Sequence, residues 1–380
     1  MAETYRDLGI YSDWVTEALR QRPLWRAAAP GHATQAQVRE ALGFCNGPEA
    51  PLHVQVGRTW EDGDLVGEEV SWSVGYGPRT QAWVLKPRAA EGALPGIVAL
   101  HDHGGFKYFG KEKIACGPEP PQDWLAQCWH GTYYGGRAYA NALAREGFVV
   151  LVHDTFLWGS RRFPPEVMPD WTRRAFQGLE AAGALEGWLP REIEAYNFAA
   201  TQHEHVVEKY CNLLGTTMAG VVAHEDRIAV NYLRSRPDVD AGRVGCIGLS
   251  GGGNRAALLQ ATHDGIAAAV VVGLMSTYPG LLDHNVVSHT WMLFPSGWSR
   301  VSDWPDLAGC RAPSPLLVQY DLGDELFTRE GMRAADARLC EIYAGVGCRD
   351  GYTGEFYPGP HKFDLEMQVA AFAWLKRQLG

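Results

Sequence analysis

Residues 243–254 read Arg-Val-Gly-Cys-Ile-Gly-Leu-Ser-Gly-Gly-Gly-Asn, and the fold turns on this stretch. Arg243 to Leu249 reads as a buried strand and Gly252 to Thr262 as the helix after it. Between them lies Gly248-Leu249-Ser250-Gly251-Gly252, a Gly-x-Ser-x-Gly pattern in a strand–turn–helix setting. A serine on so sharp a turn carries a strained backbone. Side chains two residues before and after it would strike the strand and the helix, so glycine fills both places. The turn lifts the hydroxyl to the carboxyl edge of the sheet, where α/β folds bind ligands. It also points helix N-terminal N–H groups at the same spot. Ser250 is therefore the candidate nucleophile. A phosphate-binding loop would instead require Gly-x-x-x-x-Gly-Lys-Ser/Thr, and no such lysine follows.

Outward from this turn, Gly96 to Leu100 and Phe148 to Val152 are continuous apolar runs, the pattern of strands buried on both faces. Ile266 to Leu274 and Ser314 to Gln319 read as further strands. Helices are predicted over Arg137–Glu146, Ala219–Arg234, Arg329–Tyr343 and Leu365–Leu379. This alternation implies right-handed crossovers and the α/β class: a mainly parallel central sheet flanked by helices. Leu52–Val56, Glu68–Val74 and Gln81–Lys86 precede it as antiparallel strands at a sheet edge. Tyr11 to Leu42 reads as helical, with breaks near Arg22-Pro23 and Pro30-Gly31. The expected division is an N-terminal helical extension over residues 1–50 and one catalytic domain over 51–380. Cap-like insertions are expected at about 155–215 and 276–310, since long excursions in a compact domain usually form lids or binding loops.

The 380 residues are 46% hydrophobic and 21% charged, a globular composition. The net charge of −10 and the lack of a long basic run argue against nucleic acid or an anionic membrane surface as a partner. No stretch approaches ~18 consecutive apolar residues. The first twenty residues also lack the apolar core of a signal peptide. None of the eight cysteines forms a Cys-x-x-Cys pair, so reduced thiols and a cytoplasmic setting are expected. Homo-oligomerisation is left open.

A serine needs a base. After Ser250 the histidines are 263, 284, 289 and 361. His361 lies in the loop Tyr357-Pro-Gly-Pro-His-Lys-Phe363 just before the final helix, so it is the candidate general base. His263 follows the elbow helix, and His284 and His289 fall in the second insertion. The acid should follow the strand Leu316–Tyr320, where Asp321, Asp324 and Glu325 stand; Asp324 is favoured, with Asp321 second. Oxyanion donors are expected from the backbone N–H of Gly251 and from the loop Ala99–Phe106. There the His103 N–H is chosen ahead of Gly104. His101 and His103 are spaced i, i+2 on a strand that the glycines end, and His203-Glu204-His205 is not His-Glu-x-x-His. No metal site and no cofactor are expected.

On these residues the chain resembles the α/β-hydrolase superfamily over about residues 80–380, and within it the dienelactone hydrolase and acetyl xylan esterase-like branch. The resemblance is carried by the run Asp226–Gly253, the step Asp324-Glu325-Leu326 and the loop Gly359-Pro360-His361. His153-Asp154 followed by Gly159-Ser160-Arg161 adds to it. The chain departs from that branch at Ser250-Gly251-Gly252, where Ser-Gln-Gly-Gly would stand, and at Lys362, where Glu would follow the histidine. It has a serine where dienelactone hydrolases have a cysteine. The resemblance implies a serine hydrolase that cleaves a small-molecule carboxylic ester through an acyl-enzyme, with a short acyl chain on a carbohydrate or aromatic ester. Peptide or amide hydrolysis, acyl transfer and C–C cleavage use the same triad and are the alternatives; a non-catalytic binding protein on the same fold is the remaining one, which the intact Ser250, Asp324 and His361 argue against. Trp124, Trp129, Trp158, Trp171, Trp188, Trp291, Trp298 and Trp304 are candidates to line the cleft, although about half are expected simply to pack the insertions. Arg161, Arg162, Arg173 and Arg174 either meet a substrate carboxylate or pair with the protein's own acids. Gly104, Trp158, Arg161 and Trp298 are the substrate-contact candidates carried forward.

Overall fold

This computed structural model describes residues 4–44, 47–184, 189–282 and 286–380. Cys45, Trp188 and His284 lie outside the described residues. Two helices come first, α1 (Asp13–Gln21) and α2 (His32–Leu42), separated by the segment holding Pro23 and Pro30. α2 buries Val38 and Leu42 in the main core. The Leu42 carbonyl accepts the Thr216 and Thr217 hydroxyls at 3.1 and 3.2 Å, so this part of the chain's start covers the core. Three strands follow: β1 (Leu52–Asp62), β2 (Leu65–Ser73) and β3 (Thr80–Pro87). They pair antiparallel, and β1 is the exposed edge.

Then come β4 (Leu94–Leu100), helix α3 (Tyr139–Arg145) and β5 (Val149–His153). The first insertion holds two helices, α4 (Asp170–Ala181) and α5 (Arg191–Leu213). The chain resumes with α6 (Met218–Arg234), β6 (Val239–Leu249), α7 (Gly251–Thr262) and β7 (Ala268–Val272). Short helical turns fill the second insertion. The end is β8 (Leu316–Asp321), α8 (Arg329–Gly345), β9 (Tyr352–Tyr357) and α9 (Leu365–Leu379).

The nine strands form one sheet in the order β1-β2-β3-β5-β4-β6-β7-β8-β9, and β4 to β9 are mutually parallel. In β4 the period of two sends Ile97 and Ala99 into one core and Val98 and Leu100 into the other. Both faces are covered, which is why these strands read as unbroken apolar runs. β9, Tyr-Thr-Gly-Glu-Phe-Tyr, was not expected from the sequence: it is an edge strand with a central glycine and mostly half-buried residues, so it lacks the apolar signature.

A buried ionic triangle ties four of these elements together behind the carboxyl edge. Asp226 on α6 takes two hydrogen bonds from Arg255 on α7, at 2.9 and 2.7 Å, and lies 2.8 Å from Nε2 of His153 at the end of β5. Arg255 also donates to the carbonyl of His101 just past β4, at 3.2 Å. Burial works against the Asp226 charge, yet Arg255 and His153 hold its carboxyl at about 2. Asp226→Ala would strand Arg255 without its counter-ion. We expect a loss of about 3–5 kcal/mol in equilibrium urea unfolding; a loss below about 1 kcal/mol would disprove the role given to the triangle.

Candidate active site

Ser250 sits between β6 and α7 with φ 58° and ψ −120°, a conformation that L-residues avoid. The turn is held by the Ser250 N–H on the Val272 carbonyl and the Asn254 N–H on the Ser250 carbonyl, both at 2.9 Å. A Cβ on Gly248 would stand 2.7 Å from the Gly252 Cα, and one on Gly252 would collide with the Leu100 carbonyl. Both glycines are required by close approach, and together they bring the β4 loop against the serine.

Ser250 opens into a cavity of about 330 Å³ that His361, Gly251, His103 and Gly104 also line. His361 is carried by the loop between β9 and α9. Its Nδ1 lies 2.6 Å from Oδ2 of Asp324, in the loop after β8, which leaves Nε2 toward the cavity side. Oδ1 of Asp324 accepts the Leu326 N–H at 2.9 Å. Burial depresses the His361 imidazole, but the Asp324 bond and charge outweigh it, and Asp321 adds to them; the net shift is upward. Asp321, the second candidate acid, does another job. Its Oδ2 accepts the Lys362 N–H at 3.1 Å, bracing the histidine loop, and burial pushes its carboxyl up to about 7. The donor atoms of Asp321, Asp324 and His361 lie within 4.8 Å of one another, but the His361 nitrogen nearest the acids is already engaged by Asp324.

The loop after β4 lies directly on the first turn of α7: a Cβ on Gly251 would fall 2.6 Å from the His103 nitrogen. Among the described hydrogen bonds neither the His103 nor the Gly251 N–H has an acceptor. Two N–H groups thus stand next to the serine turn without an acceptor among the described hydrogen bonds. The loop is stapled from below by the fully buried Lys113, whose ammonium donates to Oδ2 of Asp102 at 3.1 Å and to the His103 and Phe106 carbonyls at 3.3 and 3.2 Å. Burial pulls Lys113 down to about 8, with Asp102 pulling the other way. Asp102 in turn accepts the Tyr134 hydroxyl at 2.5 Å and the Trp129 indole N–H at 3.3 Å.

Three substrate-contact candidates need correction. Trp158 is buried behind the loop, its ring 5.2 Å from that of His103 and 5.8 Å from that of His101. Arg161 is buried and neutralised by Glu225, and it also donates to the Tyr76 carbonyl at 3.0 Å, so its charge is spent on the fold. Trp298 is fully buried in the main core, where its indole anchors the second insertion. None of the three lines the cavity; Gly104 does, with its backbone turned at φ 55° and the Trp129 ring against it. Of the tryptophans considered, Trp129 lines the cavity, Trp304 is buried, and Trp171 and Trp291 are largely on the surface. Arg173 pairs with Asp170, and Arg162 lies over the Tyr108 ring. His289, left in the insertion by the sequence, lines the cavity with its Nε2 2.9 Å from the Leu326 carbonyl. Glu204 was also missed. It is a buried carboxylate on α5 that reaches His103, and no local pattern could announce a contact made across 101 residues.

Residues 227–289, which span the serine turn, match the family model described as BAAT / Acyl-CoA thioester hydrolase C terminal. The Bacillus subtilis (strain 168) protein named "Putative hydrolase YtaP" is 25% identical over 309 residues, covering 80% of this chain and 84% of that one. A Bacteroides fragilis structure described as a "putative acetyl xylan esterase" superposes with a TM-score of 0.65 at 16% identity, over 93% of this chain and 83% of that one. A glucuronoyl esterase from Solibacter usitatus gives a TM-score of 0.60 at 15% identity, over 92% of each chain. The chain has the α/β-hydrolase fold. The strand order and the serine turn belong to that fold, and identities this low carry the fold alone.

The electrostatics of the pair can be measured directly. The His361 imidazole should titrate by NMR above the ordinary 6.5, because its neighbours favour the protonated ring. Asp324→Asn should bring the midpoint below 6.5, since burial then acts without the main counter-charge, and Asp321→Asn should lower it less. An Asp321→Asn shift larger than that of Asp324→Asn would exchange the roles of the two acids.

Proposed function

We propose that the chain is a serine hydrolase of carboxylic esters. The observation that carries the proposal is the convergence on one cavity of the strained Ser250, the Asp324-bound His361 and the two unengaged N–H groups. In the proposed cycle His361 Nε2 takes the Ser250 hydroxyl proton as Oγ bonds to the ester carbonyl carbon. The carbonyl oxygen becomes an oxyanion and is received by the Gly251 and His103 N–H groups, each typically worth about 3–4 kcal/mol in the transition state. Collapse expels the alcohol, which leaves with the proton from His361. Water, deprotonated by the same nitrogen, then cleaves the acyl-enzyme to a carboxylic acid and free Ser250. Asp324 orients His361 and stabilises its charged form throughout.

The cavity size supports a short acyl chain, and the aromatic wall of Trp129 and Tyr133 suits a sugar or aromatic ring. Fold neighbours named for acetyl xylan and glucuronoyl esters support a carbohydrate ester within that class. The described cysteines are all unbridged, which is consistent with a reducing cytoplasm. A second reading is favoured by the match over 227–289, whose description names acyl-CoA thioesters: the same attack on a thioester carbonyl.

The test is a series of chromogenic esters from acetyl to octanoyl, sugar acetates and an acyl-CoA thioester, each given to wild type and Ser250→Ala. We expect turnover of short oxygen esters and a loss of at least about 10⁴-fold in kcat for the variant. Activity of Ser250→Ala within a few-fold of wild type would refute the serine mechanism. Faster turnover of the thioester would move the substrate class to thioesters.

A further inference from the structure

We propose that Glu204 is the positioning residue of the oxyanion hole, one carboxylate that holds the His103 N–H at the serine and closes the second insertion over the cavity. This rests on the serine reading above.

Glu204 lies in the long helix α5 of the first insertion, within His203-Glu204-His205, and its side chain is 5% exposed. Its two oxygens face in two directions. Oε2 lies 2.8 Å from Nε2 of His103 and also takes the ammonium of the buried Lys107. Oε1 accepts the Thr290 hydroxyl at 2.9 Å and the Trp291 N–H at 3.2 Å. Thr290, in the second insertion, lines the cavity together with the loop residues His103 and Gly104. One side of the carboxylate therefore grips the oxyanion loop and the other grips the roof.

The protonation of His103 follows from its neighbours. Its Nδ1 accepts the Gly105 N–H at 3.0 Å, so Nε2 carries the proton that Glu204 receives. The ring is thereby fixed at both nitrogens, and its backbone N–H is held against the Gly251 Cα, where a Cβ would come within 2.6 Å. Helix α5 grips the same loop once more: Oδ1 of Asn197 accepts the Lys107 and Tyr108 N–H groups at 2.8 and 2.9 Å. Burial disfavours the Glu204 charge, but Lys107 and His103 hold the carboxyl well below its usual range.

The chemistry of the partners makes an ionised acid necessary. The His103 Nε2–H, the Lys107 ammonium and the Trp291 N–H can only donate. A carboxylate accepts on both sides. An amide cannot, because its NH₂ end must face one set of donors. Glu204→Gln therefore has to release either the loop or the roof, and the loop side carries the ammonium that has lost its counter-charge.

The experiment compares wild type, Glu204→Gln and Glu204→Asp on an oxygen ester and on its thionoester, whose C=S group is a poor hydrogen-bond acceptor. Misplacing one oxyanion donor should lower kcat for the oxygen ester by about 10²-fold. The thionoester rate should change less than about 5-fold, because it gains little from the hole. Glu204→Asp keeps the charge but is one methylene shorter, so it cannot span loop and roof together. It should show the same selective loss and provides the test where Glu204→Gln does not fold. Parallel losses on both substrates, or an oxygen-ester kcat within 3-fold of wild type, would overturn the positioning role. Labelling of Ser250 by a fluorophosphonate in the wild type separates the two failures. An unlabelled, inactive wild type would refute the serine reading itself.

Discussion

The contact between Gly252 and the carbonyl of Leu100 is the constraint on which the site depends. No side chain fits there, so the end of β4 and the first turn of α7 touch backbone to backbone. That contact lets the loop beginning at His101 fold over Ser250 rather than pass beside it. It also explains why Ser250 can sit at φ 58°: the strand on one side, the helix on the other and the β4 loop above leave the turn no relaxed alternative. The strain is maintained by packing around it.

Loops brought that close must then be kept in place, and the protein does this with buried charge. Lys113 and Asp102 secure the loop from below, Arg255 and Asp226 secure its root and the helix behind it, and Lys107 and Glu204 secure its far side. In each pair both side chains are at most 5% exposed. Such pairs need not add net stability, but losing one partner is costly, which makes them good at specifying a single arrangement. The hydrogen bonds of Lys113 and Arg255 go to loop carbonyls, and among the described hydrogen bonds the His103 N–H has no acceptor.

The histidine side is built by different means. Here the sheet's last two parallel strands deliver the two partners, Asp324 from the end of β8 and His361 from the end of β9. Asp321, at the strand end, lies within 4.8 Å of the ring but binds the Lys362 backbone, while Asp324 takes Nδ1, so each acid has one task. The register Asp321 with Tyr357 places the two loops side by side.

Much of this was legible in the chain itself. The serine turn, the apolar runs of the parallel strands, and Asp324 and His361 as partners all follow from local rules: glycine where a Cβ has no room, continuous apolarity where both faces are covered, loop position after the last strands. β9 was not legible, because an edge strand with a central glycine carries no burial pattern. The large side chains of the insertions misled for a related reason: Trp158, Arg161 and Trp298 look like ligand contacts in sequence, yet an indole or a guanidinium is equally able to anchor a long excursion to the core. Sequence alone thus determined the class of fold and brought Ser250, Asp324 and His361 to the carboxyl edge. Tertiary structure decided which aromatic walls the cavity, that Asp321 braces the histidine loop and that Glu204 reaches the loop after β4, because each is a meeting of residues far apart in the chain, whose contact depends on how loops pack and not on any local pattern.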